Sequence, residues 1–396
     1  MNGPSRFLPY GRQAIDDDDI AAVTAALKSD FLTTGPLVGG FEEDFARATG
    51  AVHAVACNSG TAALHLAMLA LDCGPGDAVI VPSMTFLATA NVVRMTGADV
   101  VFADVDAQTG LMTAETFDEA LRRAGARRVK AAMPVHLGGQ LCAMADIRAR
   151  ADERGVALVE DACHALGVRS VGATPHSSMA CFSTHPVKAI ATGEGGVVTT
   201  ADAALAERMR RLRSHGMVRD AAAFENADMA GAEGTANPWY YEMQEIGWNY
   251  RQPDILCALG ASQLKKLDRF HRRRGEIAAL YNGLLAPSNP VIRPVPRTGA
   301  EHGWHLYAIL VEFAQLGTTR SAFMKGLGDR GIGSQVHYIP VHRQPYYRHL
   351  YGDLDLPGAD SYYARCLSIP MFPAMTDADV HAVADGISAL AVDKAP

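Results

Sequence analysis

Between residues 53 and 159 short apolar runs alternate with amphipathic stretches, and this rhythm restricts the fold more tightly than anything else in the 396-residue chain. Residues 53–57, 78–81, 100–105, 130–135 and 156–159 have strand length and are mostly Ala and Val. Residues 61–71, 86–95, 114–123 and 144–153, lying between them, carry apolar side chains at helical spacing. Alternation of this kind folds into a mostly parallel sheet covered by helices on both faces, an α/β domain that binds its ligands at the carboxyl ends of the strands.

The remainder of the chain adds to that core without repeating it. A helical pattern runs from about residue 253 through Ala258, Leu259, Leu264, Leu267 and Phe270 to Leu280, and a proline-rich stretch at 287–296 marks entry to a smaller α+β unit. The expected organisation is an N-terminal arm over residues 1–14, a large domain over 15–255, and a long helix with a small domain over 256–396. Residues 221–236, rich in Ala, Gly, Asn and Asp, read as a long loop, and loops of that length are usually mobile or functional. A hydrophobic fraction of 48% and a charged fraction of 20% are those of a soluble globular enzyme. The formal net charge of −7 argues against nucleic-acid binding, and the basic cluster Lys265, Lys266, Arg272, Arg273 and Arg274 reads as a solvated helix face. Seven cysteines, never spaced as Cys-x-x-Cys, suit reduced thiols better than disulfides or a zinc site. No apolar leader follows Met1, and no stretch approaches the ~18 apolar residues of a membrane span, so a cytoplasmic location without a membrane partner is expected.

The residues able to do chemistry fall where such a sheet would bind a ligand. Asp161 stands at the end of the run 156–159, and Lys188 follows in Phe182-Ser-Thr-His-Pro-Val-Lys188-Ala-Ile-Ala-Thr-Gly-Glu-Gly-Gly196. A lysine in a loop is ordinarily a solvated surface group. Set between an apolar strand and a glycine-rich turn, after a strand-end carboxylate, it is what a pyridoxal phosphate enzyme needs. The amine forms a Schiff base with the cofactor aldehyde, and the aspartate keeps the pyridine nitrogen protonated so that the ring draws electrons.

The turn Asn58-Ser59-Gly60-Thr61 follows a strand and opens a helix, so its N–H groups and the helix dipole make a phosphate cradle or, taken alone, a plain N-cap. Phe86 is placed to stack on a cofactor ring, although an aromatic there also suits a core. His164, three residues past Asp161, suits either the cofactor ring or its phenolic oxygen, or a structural hydrogen bond. Ser183 can donate to phosphate, and Gly193, Gly195 and Gly196 let the turn fold closely around the lysine. A hydride-transfer enzyme would need Gly-x-Gly-x-x-Gly after its first strand, which the chain lacks. The pairs His302/His305 and His337/His342 have no matching carboxylate cluster, so no metal site is expected.

Together these residues resemble the DegT/DnrJ/EryC1/StrS family of pyridoxal phosphate-dependent nucleotide-sugar aminotransferases. The similarity runs through Leu32-Thr-Thr-Gly-Pro36, Asn58-Ser-Gly-Thr-Ala-Ala-Leu-His65, Glu160-Asp-Ala-Cys-His-Ala-Leu-Gly167, residues 182–196, Arg213-Ser-His-Gly216, Gly247-Trp-Asn-Tyr-Arg251 and Val336-His-Tyr-Ile-Pro-Val-His342. Departures occur at Cys163, Thr184 and Ala189, where the family usually carries alanine, an aromatic residue and often asparagine. Within the family the chain is most similar to the PseC branch, UDP-4-amino-4,6-dideoxy-N-acetyl-β-L-altrosamine transaminase. Ser29-Asp-Phe-Leu-Thr33, Arg213-Ser-His-Gly-Met217, Leu259-Gly-Ala-Ser-Gln-Leu-Lys-Lys266, Gly333-Ser-Gln-Val-His-Tyr-Ile-Pro340 and Tyr346-Tyr347 carry that similarity.

The resemblance implies fold type I of the pyridoxal phosphate enzymes, like aspartate aminotransferase, with Lys188 as the Schiff-base lysine and Asp161 as the partner of the ring nitrogen. It implies that Ser59, Gly60, Thr61 and Ser183 hold the phosphate, that Phe86 stacks on the ring and His164 supports it, and that Asn249 reaches the phosphate from the other subunit of a homodimer. Tyr10, Asp30, Phe31, Leu32, Thr33, Tyr338, Ile339, Pro340 and Val341 would line the sugar-nucleotide site. The implied reaction takes the amino group of L-glutamate, releasing 2-oxoglutarate and leaving pyridoxamine phosphate, and delivers it to C4 of a UDP-linked 4-keto-6-deoxy-N-acetylhexosamine. A sugar dehydratase of the same fold replaces the lysine with histidine, and a silent relative would lose Lys188 or Asp161; both residues are present.

Overall fold

The computed structural model describes residues 6–232, 235–285 and 290–392. The start of the expected arm, residues 233–234 of the expected loop and 287–289 of the proline-rich stretch lie outside the described residues. Seven strands form the central sheet: β1 (His53–Cys57), β2 (Asp77–Pro82), β3 (Asp99–Ala103), β4 (Arg128–Ala132), β5 (Ala157–Asp161), β6 (Met179–Ser183) and β7 (Gly196–Thr200). Their order is β1-β7-β6-β5-β4-β2-β3, with β7 antiparallel to both neighbours and the other strands parallel. All residues of β2, β6 and β7 are buried, as expected of a sheet covered on both faces.

Six helices precede or interleave the first five strands: α1 (Asp17–Leu27), α2 (Pro36–Thr49), α3 (Gly60–Ala70), α4 (Leu87–Met95), α5 (Ala114–Ala124) and α6 (Met144–Asp152). Local chemistry fixes their ends. Asp16 and Thr113 form capping boxes for α1 and α5, Pro36 opens α2 at its first turn, and Gly50 closes it in the left-handed region at φ 72°. One core, with Val79, Ile80, Val101, Phe102, Phe117 and Ile147, lies against β2 to β5. Another, with Phe41, Phe45, Val168 and Phe182, joins α2 and strands β1, β6 and β7 to residues 162–171, which follow β5. Each such side chain, fully buried, stabilises the fold by about 1.5–3 kcal/mol relative to exposure, before the ordering cost.

Two expectations from sequence change. β5 runs past Val159 to include Glu160 and Asp161, both buried. Charged residues are tolerated there because each is bonded: Glu160 to His136 Nε2 (2.6 Å) and Ser177 Oγ (2.5 Å), Asp161 to Thr89 Oγ1 (2.7 Å). The continuous helix from 253 is instead two helices, Asp254–Leu264 and Leu267–Leu284. The break coincides with Lys266, which is buried and ion-paired to Asp16 and, at 2.9 Å, to the fully buried Asp19. Arg274 is 2% exposed as well, so the basic cluster is not wholly a solvated face.

The first of these two helices packs with α1 and α2, and its Cys257 and Leu264 join the core around Phe41 and Phe45. The second supplies Ile277, Ala278 and Tyr281 to a separate core over the antiparallel strands Ile292–Pro294, Tyr307–Val311 and Cys366–Ile369. Leu8 of the arm enters that same small-domain core through a parallel bridge to Ile332, which brings Tyr10 beside His337. The residues 221–232 and 235–243 are not irregular throughout: they contain a 3-10 turn at Ala221–Ala223 and a short pairing of Met217–Val218 with Glu242–Met243.

Candidate active site

A cavity of about 410 Å³ opens at the carboxyl ends of the parallel strands, a volume suited to a small-molecule cofactor with part of its substrate. Asp161 comes from the end of β5, Ser183 from the end of β6, and Ser59, Gly60 and Thr61 from the turn after β1; all line it together with Lys188. Ser59 caps α3 by accepting from the Ala62 N–H at 3.0 Å, which leaves the N–H groups of Gly60 and Thr61 in a first turn that has no intrahelical acceptors. Only glycine fits at position 60, because a Cβ there would lie 2.8 Å from the Ser183 Cβ. A Cβ at Gly196 would overlap the Ser59 carbonyl. This close packing of two glycines sets a hydroxyl from β6 against the positive end of α3, the donor set that a phosphate requires.

Lys188 lies on the opposite side of that hydroxyl in sequence, held by its N–H to the His185 carbonyl at 2.8 Å. Burial lowers its proton affinity below the usual lysine value, against the opposing influence of Cys163 and Asp161. The shift favours the uncharged amine, the form that acts as nucleophile or base. Asp161 accepts from Thr89 Oγ1 at 2.7 Å on Oδ2 and from the Cys163 N–H at 3.2 Å on Oδ1, so each oxygen is anchored.

His164 Nδ1 accepts from the Gly138 N–H at 3.1 Å, which assigns the single ring proton to Nε2, 3.1 Å from Tyr338 Oη. Both nitrogens are therefore engaged within the protein, and His164 offers a ring face to the site instead of a direct bond to a phenolic oxygen. Burial holds the proton affinities of His164 and His305 well below the ordinary histidine value and lowers that of His337 to about 3, so the three imidazoles lining the pocket are neutral. Burial likewise raises the Tyr338 hydroxyl above its usual range, which keeps it a donor. Among the described residues no arginine lines this cavity.

Of the residues singled out from sequence, the fold gathers Tyr10, Ser59, Gly60, Thr61, Phe86, Asp161, His164, Ser183, Lys188 and Tyr338 around one cavity. Phe86 is the N-cap of α4 and lies 5.8 Å, ring to ring, from Tyr338. The others are not in its wall. Phe31 and Leu32 are half exposed in the α1–α2 loop, where the Leu32 carbonyl accepts from the Asp254 N–H, and Asp30 and Thr33 flank them. Ile339 is half exposed, Pro340 is buried, and Val341 is fully buried in the large-domain core with its N–H on the Ser83 carbonyl, so Val341 cannot line a ligand in this arrangement. Asn249 is exposed, its carbonyl accepting from Asn58 Nδ2 at 3.2 Å.

The reading from sequence did not single out Thr85, Thr89, Glu194, His305 and His337 as part of the cavity wall. The two threonines stand four apart across the start of a helix that follows a strand end, a spacing that places them on one face and that could have flagged them. The two histidine pairs are each divided: His305 and His337 face the cavity, whereas His302 stacks on Trp304 at 3.8 Å and His342 bonds Ser83 Oγ at 2.6 Å.

The comparison with known proteins agrees with this geometry. The model of the DegT/DnrJ/EryC1/StrS aminotransferase family matches residues 13–388. The spore coat polysaccharide biosynthesis protein SpsC of Bacillus subtilis (strain 168) is 41% identical over 390 residues, covering 97% of each chain. Among solved structures, PseC of Helicobacter pylori, an aminotransferase involved in the biosynthesis of pseudoaminic acid, superposes with a TM-score of 0.87 at 28% identity, over 98% of this chain and 100% of that one. Spr1654 of Streptococcus pneumoniae in its PLP-form superposes with a TM-score of 0.86 at 26% identity, over 98% and 100% of the two chains.

Proposed function

This chain belongs to the DegT/DnrJ/EryC1/StrS aminotransferase family, and from that premise we propose that it moves the amino group of L-glutamate to C4 of a UDP-linked 4-keto-6-deoxy-N-acetylhexosamine, in a homodimer whose two subunits share each site. It is a pyridoxal phosphate-dependent sugar aminotransferase. The observation that carries the reading is one cavity lined by Lys188, whose proton affinity is lowered, a doubly anchored Asp161 and the glycine-packed turn at the head of α3.

Pyridoxal phosphate, when bound, supplies an electron sink for negative charge at the donor carbon. Gly60 and Thr61 with Ser183 hold its phosphate, Phe86 covers a ring face, and the Asp161 carboxylate holds the proton on the ring nitrogen. Lys188 Nζ removes the proton from the α-carbon of glutamate in the first half-reaction and delivers a proton to C4 of the sugar in the second. The neutral histidines and Tyr338 leave those proton transfers to the lysine, since none of them changes charge near neutral pH.

Support for a shared site comes from Asn249, which is exposed and outside the wall of the cavity in its own chain. A partner's Asn249 reaching this phosphate accounts for that placement. Asp30, Phe31, Leu32, Thr33 and Ile339, outside the cavity wall, sort the sugar, with Tyr10 and Tyr338 of the wall packing on its C6 methyl and acetamido groups. Support for the UDP-linked substrate is the likeness to PseC. The higher identity to SpsC favours a second reading, in which another nucleotide-linked keto-sugar is aminated for a polysaccharide. We place the reaction in the cytoplasm, where free thiols such as the seven cysteines here remain reduced; among the described residues no helix is long and apolar enough to cross a membrane.

The test is to incubate the protein with glutamate and a panel of UDP-, GDP- and dTDP-linked 4-keto and 3-keto sugars, identifying each product by mass and proton couplings. The expected result is a C4 amine on the UDP-linked N-acetylhexosamine. A site built to hydrogen-bond one base and one acetamido group rejects analogues lacking them by about 10⁴-fold. A higher kcat/KM for GDP-4-keto-6-deoxymannose or a dTDP-linked ketone overturns the UDP reading and leaves the aminotransferase assignment intact.

A further inference from the structure

Asp161 does not stand alone at the cavity floor. Thr89 Oγ1 lies 2.7 Å from Asp161 Oδ2 and 2.7 Å from Thr85 Oγ1, and both threonines are buried, at 0% and 1% exposure. The two residues come from the start of α4 and the turn before it, and both line the cavity. Hydrogen directions follow from counting protons. Thr89 has one hydroxyl hydrogen and two acceptors in reach: the Asp161 carboxylate at 2.7 Å and the Phe86 carbonyl at 3.3 Å. The shorter, charge-assisted bond takes it. The Thr89 oxygen must then receive the proton of Thr85. The result is a directed chain, Thr85 O–H to Thr89 Oγ1 and Thr89 O–H to Asp161 Oδ2, in which each bond polarises the next.

The bland reading is that Thr89 is only a first-turn threonine bonding back to its own helix, as this residue type often does. That reading would require the 3.3 Å bond to Phe86 to hold the hydrogen and would leave a 2.7 Å oxygen–carboxylate contact without one. In a water-excluded site such a contact is repulsive. The carboxylate is the acceptor.

We propose that Thr89, reinforced by Thr85, is a positioning residue that fixes the rotamer of Asp161 and thereby tunes how strongly the pyridoxal phosphate ring nitrogen keeps its proton. The physical chain is short. A carboxylate freed from its anchor no longer stays against the ring nitrogen, and the nearby negative charge that favours the proton there is weakened. A less positive ring withdraws fewer electrons from the lysine-linked nitrogen, whose own proton affinity rises.

The experiment uses the cofactor-loaded protein and reads the pH titration of its visible absorbance band with no amino donor or sugar added, so that it stands apart from the question of which sugar is used. In Thr89→Val, nearly isosteric but without the hydroxyl, the midpoint of the titration moves up by about one pH unit, the equivalent of one buried hydrogen bond to a charged group. Thr89→Ser keeps the parent midpoint. Thr85→Val, which does not touch Asp161, moves the midpoint in the same direction by less, and it decides the matter alone should Thr89→Val fold poorly. Affinity of the apo-protein for pyridoxal phosphate falls in the order parent and Thr89→Ser, then Thr85→Val, then Thr89→Val. A Thr89→Val protein with the parent midpoint, or a Thr85→Val protein with the parent midpoint where Thr89→Val is not soluble, overturns the proposal. So does a Thr89→Ser protein that shifts as far as the valine variant.

Discussion

At the floor of the cavity Asp161, Ser59 and His164 each have a defined partner from another segment or the next helical turn, at 2.7 to 3.1 Å, and two glycines hold the turn of α3 against β6 and β7. Outside the cavity wall Phe31, Leu32, Ile339 and Tyr346 stand 50–57% exposed, and Trp239 and Ile246 are more exposed still. The side chains around the floor are fixed by bonds within one chain, whereas the side chains outside the wall are left exposed in the isolated chain. Rigid placement of the first set is what catalysis asks for, because small misplacements of a reacting group cost rate steeply.

The floor is where single changes should be most damaging. Lys188→Ala is expected to lower transamination by about 10⁴-fold or more, the span associated with a positioned proton-transfer group, while the fold and cofactor binding through Ser183 and Thr61 persist. In the parent, borohydride treatment should bleach the visible band and attach the cofactor mass to the peptide containing Lys188. A Lys188→Ala protein turning over at the parent rate would contradict the whole assignment.

Next in size come the glycines. Gly196→Ala forces a methyl group into the Ser59 carbonyl, backbone against backbone, and is expected to destabilise the protein by about 3 kcal/mol, the upper end of ordinary overpacking. Gly60→Ala meets the Ser183 Cβ at 2.8 Å, a longer approach than that of Gly196 to the Ser59 carbonyl, so stability should fall less while affinity for pyridoxal phosphate falls by about tenfold. Denaturant unfolding and cofactor titration separate the two. Equal stability loss in both variants would mean that the turn and β6 are not packed as described.

The same contrast explains what could be read before the fold was seen. The central sheet was legible because β1 to β4 and their helices are apolar at strand and helix periods, and the cavity floor was legible because Asp161, Lys188 and the turn at Ser59 lie at strand ends. The last two residues of β5 escaped that reading because Glu160 and Asp161 are charged, and their burial depends on His136, Ser177 and Thr89, none adjacent in sequence. The break at Lys266 escaped because it carries no proline or glycine and coincides with ion pairs to Asp16 and Asp19, some 250 residues away. Thr184, which departs from the family's aromatic residue, bonds Thr192 Oγ1 at 2.5 Å beneath the lysine loop, a pairing that the sequence alone does not announce. The outer segments were least legible: short polar and aromatic words such as those at 30–33 and 338–341 give no sign of which side chains face inward, and Val341 turned out to face the core.

If the site is completed by a second copy, activity can be rebuilt from two damaged chains. Lys188→Ala and Asn249→Ala proteins, each weakly active or inactive alone, should regain part of the parent activity when mixed and allowed to exchange subunits, because one site of each hybrid has an intact lysine from one chain and an intact asparagine from the other. Analytical ultracentrifugation of the mixture reports whether exchange occurred. Exchange without recovery would place Asn249 in its own chain's site, and a fully active monomer would remove the shared site altogether.

The smallest effect concerns the outer segment that leads to Asn249. Glu242 accepts from the Glu225 N–H at 2.8 Å, the Asn226 N–H at 2.7 Å, Gln244 Nε2 at 3.0 Å and Tyr240 Oη at 3.0 Å. These bonds, that from Glu225 foremost, hold its carboxyl down to about 2, below the ordinary value near 4.5. The sign follows: a carboxylate with a depressed folded value contributes its stabilisation above about pH 4.5 and loses it as pH falls toward 2. At neutral pH, Glu242→Ala should therefore speed hydrogen exchange at the Glu225 and Asn226 amides severalfold with little change in global stability. In the parent those amides should stay protected as the pH is lowered until it nears 2, where the carboxylate takes up its proton. Matching exchange rates in parent and variant at neutral pH would show that the segment is held by something other than this carboxylate, and that it is organised even where it is exposed.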